Sequence, residues 1–162
     1  MMLCASQVDL EHPTAQEETK TSFETVPTIP RLFLADDQEE MLWTVAQILE
    51  GEFQIVGTAE NGVGVLECAP GLSPDILVLD ISMPLLTGIE AALRLREAGS
   101  RARVIFLTVH EDLDFVEAAL SAGAFGYVLK PSMVTDLVPA IRKALEGSTF
   151  ISPSLHLPEY PL

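Results

Sequence analysis

The chain has 162 residues, with 9 basic against 24 acidic side chains and a formal net charge of −15. That length holds one domain of ordinary size with tails and is too short for two full domains. At 48% hydrophobic and 20% charged it can build a core, which excludes wholesale disorder; the acid excess argues against unaided nucleic-acid binding, since each phosphate contact needs a cation.

Residues 1–30 carry five acids and one lysine, show no sustained apolar period, and end in Val26-Pro27-Thr28-Ile29-Pro30. They read as a flexible N-terminal extension. The first residues offer neither the basic nor the long apolar region of a secretory signal. Cys4 and Cys68 make no disulfide framework and read as reduced thiols. No stretch of 18 apolar residues is present to span a membrane.

From Arg31 the pattern changes. Leu32-Phe33-Leu34-Ala35 is a short apolar run that stops at Asp36-Asp37, as a buried parallel strand does. Met41, Leu42, Val45, Ile48 and Leu49 recur at helical spacing, and Gly51 ends that helix. Phe53 to Ala59 is a second strand. The helix around Val63 to Ala69 is weakened by Gly62 and Gly64, and Pro70, Gly71 and Pro74 are expected in the loop after it. Ile76 to Leu79 is a third strand, running into Asp80. A loop with Pro84 leads to a helix expected to present Ile89, Ala92, Leu93 and Arg96 on one face.

Val104 to Leu107 is the fourth strand, ending at Thr108, and a helix from about Asp112 to Ala122 follows. Tyr127-Val128-Leu129 is the fifth, ending at Lys130-Pro131. The last helix holds Leu137, Val138, Ile141 and Leu145 and stops at Gly147. Pro139 falls inside it and costs about 3 kcal/mol in a helix interior, so the helix is expected to start near Thr135 or to kink. Five non-alternating apolar strands alternating with five helices call for an α/β fold, a parallel sheet covered on both faces. The domain is placed at 31–150, with 151–162 as a tail or truncated linker.

In a doubly wound sheet, ligands bind beyond the carboxyl ends of the strands. Those ends carry Asp36 and Asp37, Asp80, Thr108 and Lys130. Three carboxylates so close raise one another's pKa unless a cation intervenes. Oxygen donors of this kind suit Mg²⁺. Lys130 and Thr108 fit better as donors to a phosphoryl group, and Asp80 as a nucleophile that accepts one. Each residue alone has a plainer reading: Asp36 or Asp37 as a helix cap, Asp80 as a loop acid, Thr108 as a strand residue, Lys130 as a solvated strand end. Their joint placement at four strand ends carries the weight.

Asp36-Asp37, Asp80-Ile81-Ser82-Met83-Pro84 with Gly88, Thr108, and Gly126-Tyr127-Val128-Leu129-Lys130-Pro131 together resemble the receiver domain of bacterial two-component response regulators, over about residues 31–150. The separations match as well, 28 residues from Asp80 to Thr108 and 22 from Thr108 to Lys130. The resemblance implies a flavodoxin-like, doubly wound five-stranded parallel sheet of order 2-1-3-4-5 with five helices. It implies that Asp80 accepts a phosphoryl group from a sensor histidine kinase or a histidine phosphotransfer protein, with Mg²⁺ as cofactor. Asp37 would bind the metal directly and Asp36 through water, with Asp80 and the main-chain carbonyl of Ser82 completing the set. Lys130 would pair with Asp80 and then with the phosphoryl group, Thr108 would move to bind a phosphoryl oxygen, and Tyr127 would follow inward as an aromatic switch. A cis peptide is implied before Pro131. Ser82 and His110 take positions that tune phosphoryl loss in the family. Val109 is bulkier than the small residue often found there, which predicts restricted access for small phosphodonors. The fourth helix, fifth strand and fifth helix would form the readout face, where Pro139 makes the usual homodimer less secure.

The run from Gly147 to Leu155 resembles the exit from a receiver into the linker of regulators with a helix-turn-helix output domain, but only a few residues follow. Either the chain is a stand-alone receiver, the favoured expectation, or its output module lies outside this sequence. The expectation for this chain is a cytoplasmic signalling module that binds neither DNA nor membrane and catalyses only its own phosphorylation and dephosphorylation. His12, His110 and His156 are scattered and suggest neither a metal triad nor a phosphorelay histidine. The main rival is an aspartyl-nucleophile phosphatase or phosphotransferase. Such enzymes usually need a second Asp two residues after the nucleophile, where this chain has Ser82, and a substrate-selecting cap for which it has no room. A flavodoxin-like cofactor carrier would need a phosphate-holding loop after the first strand, where Asp36-Asp37-Gln38-Glu39-Glu40 repels an anion.

Overall fold

The computed structural model describes residues 28–157; Cys4, His12 and all but the last three residues of the extension lie outside them. Strands β1 (Arg31–Ala35), β2 (Gln54–Ala59), β3 (Ile76–Leu79), β4 (Arg103–Thr108), β5 (Gly126–Leu129) and β6 (Phe150–Ile151) form one sheet in the order β2-β1-β3-β4-β5-β6. Every neighbouring pair is parallel. The order reverses between β1 and β3, and this switch point opens the crevice where a doubly wound sheet binds its ligands.

Helices α1 (Glu39–Leu49), α2 (Gly62–Leu72), α3 (Gly88–Glu97), α4 (Leu113–Ser121) and α5 (Met133–Leu145) cover both faces. The strand period of two divides the core. Phe33, Leu77, Phe106 and Tyr127 point toward α2, α3 and α4, where they meet Val65, Ala91 and Val116. Leu34, Val78, Ile105 and Val128 point the other way, onto Val45 and Leu49 of α1 and Leu137 and Ile141 of α5. Burial on both faces is why these strands read as unbroken apolar runs. No described helix is long and apolar enough to cross a membrane.

Several local expectations are corrected. The sheet gains a sixth strand, β6, which pairs with Gly126 and Tyr127 at the edge of β5 and crosses the boundary drawn at 151. Pro70 and Gly71 belong to the last turn of α2, which ends at a left-handed Ser73 (φ 47°). So near the C-terminus, a proline removes only one helical hydrogen bond. Helix α5 starts at Met133 and runs through Pro139. It does so because Leu137, Ala140, Ile141 and Ala144 are all fully buried; burying the Leu and the Ile alone contributes about 3–6 kcal/mol, enough to outweigh the proline. The inner face of α3 is Gly88, Ala91, Ala92 and Leu95, while Leu93 and Arg96 are exposed. Its start is fixed by a capping box in which Thr87 and Glu90 exchange hydrogen bonds. The reading of Cys4 and Cys68 as a pair of reduced thiols turns on Cys4, which lies outside the described residues. Among the described residues no peptide bond is cis, so Pro131 follows a trans peptide and sits in a short 3-10 turn, Lys130–Ser132.

Candidate functional site

The site is built where β1, β3, β4 and β5 run out. Asp36 directly follows β1, and its amide continues the ladder by donating to Ala59 O at 3.1 Å. Asp80 follows β3 next door, donating to Ala35 O at 2.9 Å. Both carboxylates are therefore held by main chain that the sheet fixes, and both are buried. Asp36 does not cap α1; the N-cap is Gln38, whose amide donates to Asp36 Oδ1 at 2.8 Å. Asp37 is exposed. The loop after Asp80 turns back through a left-handed Leu85 (φ 71°) and closes with Gly88 N donating to Ile81 O at 2.9 Å. A Cβ on Gly88 would stand 2.0 Å from the Asp80 carbonyl oxygen, so only glycine lets α3 start this close.

Lys130, one residue past β5, reaches across β4 to both acids. Its Nζ lies 2.8 Å from Asp36 Oδ2 and 3.1 Å from Asp80 Oδ2, with a side chain only 10% exposed. One oxygen from each of Asp36, Asp37 and Asp80 lies within 4.8 Å of the other two. The rim thus sets three carboxylates against one ammonium. Burial pushes the Asp80 carboxyl above its ordinary pKa, the Asp36 charge pushes it further, and Lys130 opposes both. Burial alone would depress the Lys130 ammonium, but its bonds to Asp36 and the two negative charges outweigh it and raise its pKa.

Thr108, the last residue of β4, is fully buried, and its hydroxyl accepts from the His110 amide at 3.2 Å. Tyr127 is also fully buried, with its ring inward and its hydroxyl donating to the His110 carbonyl at 2.8 Å. Burial, aided by Asp112, pushes that phenol up to about 12. The His110 ring stacks on Phe115, centroids 4.1 Å apart, and Nε2 meets Ser82 Oγ at 2.6 Å. Val109 beside it is 60% exposed.

The structure brings Asp36, Asp37, Asp80 and Lys130 together. Thr108 ends β4, between the strands that lead to Asp80 and Lys130, and is joined to Tyr127 through His110. The Ser82 side chain is engaged with His110; only its main-chain carbonyl bears on the metal reading. Two features escaped the sequence, the bond from Lys130 to Asp36 and the Ser82–His110 contact across two loops. The 28-residue spacing of Asp80 and Thr108 held a trace of the second, since Ser82 and His110 share that offset. His156 is exposed and takes no part.

Comparison with known proteins gives a consistent picture. Residues 32–142 match the family described as the response regulator receiver domain. The transcriptional regulatory protein YvfU of Bacillus subtilis, itself uncharacterised, is 38% identical over 127 residues, covering 77% of this chain and 64% of YvfU. The chain therefore spans somewhat less than two thirds of that relative. A LuxR-family two-component response regulator from Aurantimonas superposes with a TM-score of 0.75 at 31% identity, covering 79% of this chain and 93% of that one. The isolated receiver domain of RcsB from Salmonella enterica, solved with the phosphomimetic beryllofluoride, gives 0.73 at 26% identity, covering 79% and 96%.

Proposed function

The chain belongs to the response regulator receiver domain family, and from that premise we propose that it is a phosphoacceptor module in which Asp80 takes a phosphoryl group from a phosphohistidine on a sensor kinase or a phosphotransfer protein. In the transfer, an Asp80 carboxylate oxygen bonds to phosphorus as the phosphorus–nitrogen bond breaks, and the departing imidazole keeps the electron pair and takes up a proton. The observation that carries this reading is the Lys130 ammonium on Asp80 and Asp36, inside a group of three carboxylates.

The donor set fits Mg²⁺: hard oxygens from three acids, with a single ammonium to balance them. Asp36, Asp37, Asp80 and the Ser82 carbonyl would hold the ion, which when bound would neutralise charge on the phosphoryl oxygens. The chain's own groups do the rest. Burial and the neighbouring Asp36 charge raise the pKa of Asp80, so it carries its own charge at a cost. Lys130 is placed to exchange a carboxylate for a phosphoryl oxygen, and the Thr108 hydroxyl can leave the His110 amide to do the same. An acyl phosphate adds about two negative charges here. Since Thr108 and Tyr127 both bond His110, a move by the first alters the seat of the second, which lies at the β4–β5 side of the domain.

On this reading the protein is a cytoplasmic signalling module that turns over no substrate but its own phosphoryl group. The test is Mg²⁺-dependent uptake of beryllofluoride by the wild type and its loss in Asp80→Asn. Equal binding by the variant overturns the reading. Asp80-dependent hydrolysis of small phosphate esters would replace it with the phosphatase alternative.

A further inference from the structure

Strand β6 is too short to pair the whole of β5. It covers Gly126 and Tyr127 and leaves the Leu129 N–H, the last amide before Lys130, without a strand partner. A buried edge amide in that position costs free energy unless something accepts from it. The Ser152 hydroxyl does so, at 3.1 Å, from a side chain that is itself buried. Its own proton goes to Asp136 Oδ2 at 2.7 Å, on the first turn of α5. Asp136 is buried too, and its other oxygen meets the Thr135 hydroxyl at 3.0 Å. Ser152 N donates to Tyr127 O at 2.9 Å, and Leu155 anchors the segment in the core.

The far side of Lys130 is held from the same segment. Pro131 has no N–H to give, so the turn that carries Lys130 has one fewer donor with which to fix itself. Ser132, just past it, meets Ser154 at 3.0 Å, hydroxyl to hydroxyl. Residues 152–154 therefore grip the chain immediately before and immediately after Lys130-Pro131. Ser152 satisfies both of its hydrogen-bonding roles with buried groups on two different elements, which no solvent-facing linker residue requires.

We propose that residues 150–155 form a strap belonging to the phosphoryl site, in which Ser152, oriented by Asp136, is a positioning residue for Lys130. Rather than leading out of the domain at 151, the segment sets where the Lys130 ammonium lies against Asp36 and Asp80. The inference rests on the role given to Lys130 above. By linkage, the coupling runs both ways: whatever binds Lys130 also tightens the strap.

The test uses the full chain with its lysines labelled with ¹³C and ¹⁵N. Only Lys20, Lys130 and Lys143 contribute signals, and Lys130 is identified by its loss in Lys130→Met. In folded Ser152→Ala, without added ligand, the Lys130 ammonium signal is expected to move toward that of a solvated lysine and to exchange its protons faster. Beryllofluoride binding in Mg²⁺ should weaken about fivefold, the worth of one lost hydrogen bond, and Ser152→Ala should add nothing in the Lys130→Met background. An unmoved Lys130 signal, or the same loss of binding in both backgrounds, overturns the strap. Should Ser152→Ala fail to fold, Asp136→Asn keeps the side-chain shape, weakens the acceptor and is judged by the same signal. A wild type that takes up no beryllofluoride sinks the phosphoacceptor reading, while the Lys130 signal still decides the strap.

Discussion

The two ends of the sheet handle charge in opposite ways. At the amino ends of the strands, arginines serve main chain: Arg103 donates to Ala144 O at 2.7 Å and Leu145 O at 3.0 Å, closing the carbonyls of the last turn of α5, and packs over Phe125. Arg31 does the same for α2, reaching Ser73 O at 3.1 Å while its amide bonds Asp75. Each cation there meets the negative end of a helix dipole. At the carboxyl ends, among the described residues, three acids cluster and one lysine, Lys130, pairs with two of them, Asp36 and Asp80. One end is electrically settled by the fold itself, and the other is left short of positive charge. That shortage is what a metal ion and a phosphoryl-binding lysine can use.

The contrast can be broken most severely at Lys130. Lys130→Ala strands two buried carboxylates, and we expect a loss of about 3 kcal/mol in urea unfolding at neutral pH, largely recovered with millimolar Mg²⁺. An unchanged unfolding midpoint would mean that the acids are solvated and the end is not short of charge. Arg103→Ala, at the settled end, should cost about 2 kcal/mol through its lost charged hydrogen bonds, yet leave the beryllofluoride affinity unchanged. A parallel loss of affinity would show that the two ends are not independent.

Proton linkage sharpens the same point with a smaller effect. The raised pKa of Asp80 means that the fold favours its neutral form, so its contribution to stability is complete below the ordinary value of 3.8 and is lost as pH rises through the elevated one. Without metal, Asp80→Asn should therefore melt above the wild type at neutral pH, and the gap should close as the pH falls toward 3.8. Calorimetry across that range checks the sign, and a variant less stable than the wild type at neutral pH contradicts it. Last, Val109 stands 60% exposed at the rim of the site. Val109→Ala is expected to speed labelling by acetyl phosphate by a small factor, measured as the initial rate; equal rates would remove the side chain from the access route.

Much of the fold could be read before any coordinates. Runs such as Ile76 to Leu79 have no polar side to turn outward, so only a sheet covered on both faces can hold them. The acids and the lysine at their ends followed directly, because residues one step past neighbouring parallel strands must share a rim. What failed was of two kinds. Helical spacing counted from Ile89 put the inner face of α3 one residue away from Gly88, Ala91, Ala92 and Leu95, since neighbouring stripes differ by less than the pattern resolves. Pro139 was given its local cost without the burial that outweighs it, and Pro70 was read as a loop residue although it falls in the last turn of α2.

The sequence by itself determined the layered α/β architecture and the chemical membership of the site, because strand periodicity and the residue after each strand are local properties. Only the tertiary structure decided that Lys130 bonds Asp36 as well as Asp80, that Ser82 meets His110, and that Ser152 returns to hold the chain beside Lys130. Those contacts join residues 23 to 94 positions apart. Such distances are closed by the burial of a whole core, and no segment contains within itself the free energy that brings them together.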